Sequence, residues 1–335
     1  MCLHAPSYKH STANQAIHGR QLDTFTLPNF FIYRNKSDRI ETGPKMTEKQ
    51  EGYLLILPAV VIMALFTLYP LLDGLWFAFT DKSVLNDTYQ FVGLQNYARM
   101  FSDDIFWLSL RHSILLTTAV VVLQLVLGLI LASAMQQDLP GMPVFKSIIM
   151  ASWVIPVAAT VIMFKFMAQP DIGLINIILR SVGLGEITRY WLGDPAVALP
   201  FIVLLHLWRN VPFYGIAFLA AMQAIPESYY EAAEIDGAGA WKKFIHITLP
   251  GIRNMIIVMV TIHVLWTFNN FDFIYLATGG GPVDATNVLP VYVYRQSWES
   301  YALGYGASIG TIMLIILMIY FVIYMRIHER GASAA

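Results

Sequence analysis

The sequence predicts an all-α membrane protein built on six spanning helices. Two observations carry that expectation. Of the 335 residues, 57% are hydrophobic and only 13% charged, against roughly 25% charged in a soluble domain. The apolar residues also fall into six long segments, each able to supply the roughly 20 residues that cross a bilayer at about 1.5 Å per residue. The same composition closes other routes. A net charge of −1 gives a nucleic-acid partner little to hold. The single cysteine, Cys2, excludes a disulfide framework and a thiolate cage, and the eight histidines lack metal-binding spacing. Gly279-Gly280-Gly281-Pro282 lacks the lysine of a phosphate loop. We therefore expect no metal, no cofactor and no catalysis by this chain.

In chain order, residues 1–45 are polar and unpatterned, with no apolar run in signal-peptide order. They read either as a doubtful extension upstream of a start at Met46 or as a disordered cytoplasmic tail. Residues 46–108 hold the first span, Tyr53 to Phe79, with Pro58 and Pro70 towards its ends, and then a polar loop from 80 to 107. A core follows over 109–328. Its first span covers 109–135, where Leu115 to Leu131 carries no charge, and its second covers 145–167. Pro156 should kink that second helix, and neighbouring helices should satisfy the carbonyl it frees. A loop at 168–195 precedes spans at 196–222, 253–277 and 305–325. Between the last two lie the flexible Gly279 to Thr286 turn and an aromatic stretch, Tyr292 to Tyr305, suited to a membrane–water interface. Residues 329–335 form a short tail.

The stretch from Glu231 to Pro250 is polar, although it sits between two apolar segments. Glu231, Glu234 and Asp236 need water or partners. Ser228 can cap a short helix with Glu231 three residues on, as in a capping box. Gly237 ends it, because glycine tolerates the left-handed conformation a helix terminus often needs. Phe244, Ile245 and Leu249 make a second apolar stripe, stopped by Pro250. Two short helices about a glycine joint, placed between spans, suit docking on something in the cytoplasm.

Two spans carry polar residues that lipid does not tolerate. His206, Arg209, Asn210 and Phe213 recur at i, i+3, i+4, i+7, and His263, Trp266, Thr267 and Asn270 repeat the spacing. A buried arginine costs at least ~2.5–3.5 kcal/mol at mid-span, so Arg209 must face protein or water. Rings that stack on sugars, beside amides and imidazoles that bond hydroxyls, would make a carbohydrate path. The other reading is polar glue between helices, typically ~0.6 kcal/mol per contact. Asp272 is open to pairing with a cation near the outer rim.

Glu-Ala-Ala (Glu231 to Ala233), three residues to Gly237, and Ile-x-Leu-Pro (Ile247 to Pro250) together resemble the coupling loop of ABC importer permeases. Phe91 to Tyr97 resembles that family's first external segment. Leu207 to Phe213 and Phe268 to Phe271 resemble the segments that line the substrate cavity of maltose-type permeases. The resemblance, to the carbohydrate-uptake branch that includes maltose, glycerol-3-phosphate and lactose permeases, runs from Met46 to Arg330. It implies a type I importer permease fold with a cytoplasmic coupling helix in the loop 224–252. Glu231, Ala232, Ala233, Asp236, Gly237, Ala238, Leu249 and Pro250 would then meet an ATPase. The eight seam residues would line the path of a sugar or, alternatively, of an anionic sugar or a polyol phosphate such as glycerol-3-phosphate. Implied partners are a second homologous permease, an ABC ATPase dimer that binds the ATP, and an external solute-binding protein. Implied surroundings are bacterial inner-membrane lipid, with both termini cytoplasmic. Basic residues do not choose that orientation: from Met46 on they divide equally between the two sides. Rivals of another class are a secondary transporter, which needs a coupling-ion site and usually a repeat not seen here, and a membrane scaffold or sensor, which needs no polar seam.

Overall fold

A computed structural model describes residues 47–332 apart from residue 138. The expectations for residues 1–45 and for a start at Met46 lie outside them. The chain divides into two units, Met1–Val60 and Val61–Ala335. In the first, Thr47 and Gln50 form a reciprocal capping box: the Thr47 N–H donates to Gln50 Oε1 (2.9 Å) and the Gln50 N–H to Thr47 Oγ1 (3.4 Å). This opens helix α1 (Glu48–Met63), which runs across the division.

A π turn, Ala64–Leu68, joins α1 to α2 (Tyr69–Phe77). The wider turn falls where the Pro70 ring would press on the carbonyl one turn back, so the span bends around its proline rather than breaking. In the following loop, α3 (Gln95–Phe101) is held by Asn96, whose Nδ2 donates to the carbonyls of Ala78 (3.0 Å) and Thr80 (2.8 Å).

Helix α4 (Asp104–Met135) starts five residues before the expected 109, because Asp103 caps it by accepting the Ile105 N–H. Asp103, just outside the span, also accepts hydrogen bonds from the Tyr292 and Tyr305 hydroxyls. Burial alone would raise its carboxyl pKa. The two tyrosines and the backbone N–H groups outweigh burial and hold it below the usual aspartate range. A depressed carboxyl contributes stability above its unfolded pKa, near 3.9, and loses it as pH falls through the folded value. Asp103→Asn should therefore melt below wild type at pH 7, and the gap should close in acid. Thermal melts of the detergent-purified complex at both pH values check this; a gap that does not change with pH would contradict it.

Helices α5 (Met142–Val154) and α6 (Val157–Met167) form one bent span. Pro156 does more than kink it: the halves meet at 95°, with Ile155 and Pro156 both extended at ψ 132° and 143°. The residue before a proline is pushed out of the helical region, and here the helix ends. The expected loop at 168–195 contains a further helix, α7 (Leu174–Ser181). It rests on buried Asn176, whose amide donates to the Pro170 and Arg189 carbonyls and accepts from Trp191 Nε1.

Helix α8 (Ala198–Gln223) packs along α4. The approach is so close that a Cβ on Gly128 would lie 2.5 Å from Tyr214 Cβ, which is why a small residue stands there. Next come α9 (Glu227–Ile235), α10 (Ala240–Lys243), a π turn (Phe244–Thr248) and α11 (Leu249–Gly251). Pro250 does not stop this helix as expected. The π turn accommodates it, as at Pro70, and the chain instead bends by 66° into α12 (Arg253–Phe268). The expected fifth span, 253–277, is interrupted at 269–271 before α13 (Asp272–Thr278). The aromatic stretch is largely helical, as α14 (Leu289–Tyr294) and the π turn Arg295–Glu299, before α15 (Leu303–Ala332).

Among the described residues, four helices are long and apolar enough to cross a membrane, and up to six spans result when each bent pair counts as one. Among the described residues there is no strand beyond an isolated bridge, Thr80 to Phe91. A core of Leu116 and Val120 (α4), Phe201, Ile202 and Leu205 (α8), and Phe273 and Ile274 (α13) fixes the elements around the polar seam.

Candidate translocation cavity and coupling surface

The seam faces a cavity of about 640 Å³. Helix α8 contributes His206, Arg209 and Asn210, and α12 contributes His263, Trp266 and Thr267. The interruption after α12 brings Asn269, Asn270 and Phe271, the start of α13 adds Asp272 and Phe273, and the break between α5 and α6 adds Trp153 and Val157. Seven of the eight seam residues thus line one space. Phe213 does not line it but stacks on Trp153, which does, with centroids 5.0 Å apart and planes 11° apart.

His206 and His263 are buried, 2% and 3% exposed, and neither Nε2 has a hydrogen-bond partner among the described residues. A buried polar atom left unpaired costs about 1–3 kcal/mol, so both imidazoles are expensive where they stand. Both rings are held by packing. His206 stacks on Phe273 at 4.1 Å, while His263 sits edge-on to Tyr214 at 4.5 Å and 5.4 Å from Trp266. Asn210 Nδ2 donates to the His206 carbonyl at 3.0 Å, and Asn270 Oδ1 accepts the Phe273 N–H at 3.1 Å. Trp266, 58% exposed, offers its ring to the space. Arg209 donates through Nη1 to the Ser152 and Ile155 carbonyls at the Pro156 break, which is the re-satisfaction by a neighbouring helix that the proline called for. Asp272 does not pair with a cation among the described residues. It stands exposed in the first turn of α13, on the cavity wall.

The polar stretch folds as two short helices about a glycine. Helix α9 starts after Pro226, so Ser228 lies inside its first turn and makes no cap, contrary to the capping-box expectation. Its end is as expected. Gly237 has φ +72°, its N–H donates to the Glu234 carbonyl (3.0 Å) and the Ala238 N–H to the Ala233 carbonyl (2.8 Å), the paired bonds of a Schellman motif. Lys243 Nζ reaches Glu234 Oε1 at 2.5 Å across the joint. That hydrogen bond, with the lysine's charge, holds the Glu234 carboxyl below the usual glutamate range. Ala232, Ala233, Asp236 and Pro250 converge on a concavity of about 660 Å³. Glu231 is exposed beside it, and Leu249 is half-buried.

Residues 124–333 match the family of binding-protein-dependent transport system inner membrane components. The chain belongs to this family. Among relatives of this permease, the "Probable ABC transporter permease protein YurN" of Bacillus subtilis (strain 168) is 32% identical over 281 residues, 83% of this chain and 96% of that protein. The "Trehalose/maltose transport system permease protein MalF" of Thermococcus litoralis is 31% identical over 283 residues, 84% and 95% of the two chains. In fold, the permease is similar to a chain from the crystal structure of a bacterial ABC transporter involved in the import of the acidic polysaccharide alginate. The TM-score is 0.73 at 21% identity, covering 84% of this chain and 95% of that one.

Several functional candidates in the permease escaped sequence reasoning. Trp153 and Val157 reach the cavity only because the span breaks between them, and no periodicity announces a 95° turn. Phe273 comes from beyond the interruption of the expected fifth span. In the polar stretch, Ile235 is 88% exposed and Tyr229 60% exposed. Large apolar side chains within a polar stretch were the available signal.

Proposed function

We propose that this permease forms the membrane path of an ATP-driven sugar importer, with the cavity as a substrate site and α9 as the element that receives the ATPase stroke. The observation that carries the reading is the convergence of His206, Arg209, Asn210, His263, Trp266, Thr267 and Asn270 on one space. An aromatic face, two amides and two unpartnered imidazole nitrogens are what a polyhydroxylated solute needs. The relative with trehalose/maltose transport in its name supports the sugar class. The permease works with a second homologous permease, an ATPase dimer that supplies ATP binding and hydrolysis, and an external solute-binding protein, with both termini cytoplasmic.

ATP binding closes the ATPase pair and shifts the groove that seats Glu231 to Gly237. Because α9 joins α8 directly and reaches α12 through α10 and α11, the shift turns the cavity towards the outside, where the binding protein delivers solute. Hydrolysis resets it. Glu231, exposed on the first turns of α9, is an ionic latch to a basic residue of the ATPase. A second reading, an anionic sugar or polyol phosphate, is favoured by the Arg209 guanidinium on the cavity wall. Uptake of labelled neutral disaccharides and sugar phosphates by cells carrying the whole assembly, with and without Glu231→Ala, tests both points. The expected result is one transported class whose uptake falls at least tenfold in the variant. Uptake untouched by Glu231→Ala would remove Glu231 from the coupling route.

A further inference from the structure

We propose that Arg209 is a positioning residue: it holds the break in the third span at the angle that puts Trp153 and Val157 on the cavity wall. The inference rests on the cavity being the transport path, as read above. It begins with Pro156. Having no N–H, Pro156 leaves the carbonyl of Ser152, four residues earlier, without its helical donor. Ile155 is extended, so its own carbonyl also points out of any helix. Free carbonyls inside a span have no water to turn to and must be met by another part of the protein.

Arg209 meets both. Its Nη1 donates to the Ser152 carbonyl at 3.3 Å and to the Ile155 carbonyl. The contact is reciprocal, since Ser152 Oγ donates to the Ile149 carbonyl at 2.9 Å and reaches the Arg209 carbonyl at 3.5 Å. One turn further along α8, Phe213 stacks on Trp153. The same face of α8 therefore grips α5 twice, by side-chain hydrogen bonds to the main-chain carbonyls at the break and by a ring beside it. Trp153, two residues before the extended pair, and Val157, the residue just after it, line the cavity. The C-terminal end of α5 also directs the negative pole of its helix dipole at the guanidinium, which offsets the cation seen from the cavity. Arg209 acts on transport by fixing the wall rather than by reading substrate charge.

Three substitutions separate the two roles. Arg209→Gln keeps N–H donors and removes charge, Arg209→Met removes both, and Arg209→Lys keeps the charge on a single point donor. Each is made in the intact assembly. Uptake is measured with labelled maltose and labelled glycerol 3-phosphate as neutral and anionic probes, normalised to assembled complex, and backbone hydrogen exchange is followed over residues 149–160. The expected result is that Arg209→Met raises exchange at the break and cuts uptake of the transported probe at least tenfold. Arg209→Gln restores both to within about threefold. If Gln leaves exchange at the break as in wild type yet transports no better than Met, while Lys transports, Arg209 reads charge and the proposal is overturned. It is also overturned if Met leaves exchange unchanged. Raised exchange with normal uptake would uphold the clamp but overturn its part in transport, leaving the path reading to the remaining cavity residues. Should Met fail to assemble, the Gln and Lys comparison still decides.

Discussion

Gly237→Pro will abolish ATP-driven uptake while leaving the permease in the membrane. Proline fixes φ near −65°, whereas Gly237 sits at φ +72°, so no adjustment of the ring reaches the native conformation. The substitution also removes the N–H that donates to the Glu234 carbonyl and opens half of the Schellman motif. Together these cost on the order of 3 kcal/mol or more at the joint. The loss is local. α9 and α10 are exposed, none of their residues is buried, and the spanning helices have their own core. The Glu234–Lys243 contact that crosses the joint will part, and the concavity under Ala232, Ala233 and Asp236 will lose its shape. We expect uptake at background and ATPase activity no longer stimulated by the loaded binding protein, with normal amounts of permease in the membrane fraction. Gly237→Ala, which keeps the N–H and strains φ alone, should retain partial uptake. Normal uptake by the proline variant would remove α9 from the coupling route.

The glycine joint was legible because its cause is local: one residue type tolerates the left-handed turn, and its neighbours are polar where spans should be apolar. The seam was legible for a similar reason. His206, Arg209 and Asn210 share a helical face in the sequence, and a rigid helix carries that face into the fold intact. What could not be read was whatever depends on two segments meeting. Pro156 signalled a bend but not its angle, because 95° is set by where α8 presents Arg209 to the freed carbonyls. Pro250 looked like a stop because its missing donor is a local fact, while the π turn that absorbs it is not. Ser228 has the chemistry of a cap, yet Pro226 fixes the entry to α9 first. Helix α4 starts five residues before the expected 109 because Asp103 caps it, and the Tyr292 and Tyr305 hydroxyls that converge on Asp103 come from 189 and 202 residues away.

Replacing both cavity histidines with phenylalanine is the second large effect. His206→Phe/His263→Phe should raise the KM for the transported sugar about 100-fold while the complex melts no lower than wild type. Each imidazole Nε2 is buried without a partner, so a phenyl ring of similar size removes an unsatisfied polar atom and keeps the packing on Phe273, Tyr214 and Trp266. Removing such an atom is neutral or stabilising when nothing binds it. When a solute hydroxyl binds it, each lost hydrogen bond costs about 1–1.5 kcal/mol, and two together approach 100-fold in affinity. Stability and transport therefore move in different directions only if the nitrogens face substrate. Polar glue between helices predicts the opposite pattern, a lowered melting temperature with unchanged KM. Transport kinetics in proteoliposomes, alongside melts of the same preparations, read both quantities. An unchanged KM in a complex that melts higher would show two orphaned nitrogens with no role in the path, and the solute would then have to contact Trp266, Asn210 and Asn270 alone.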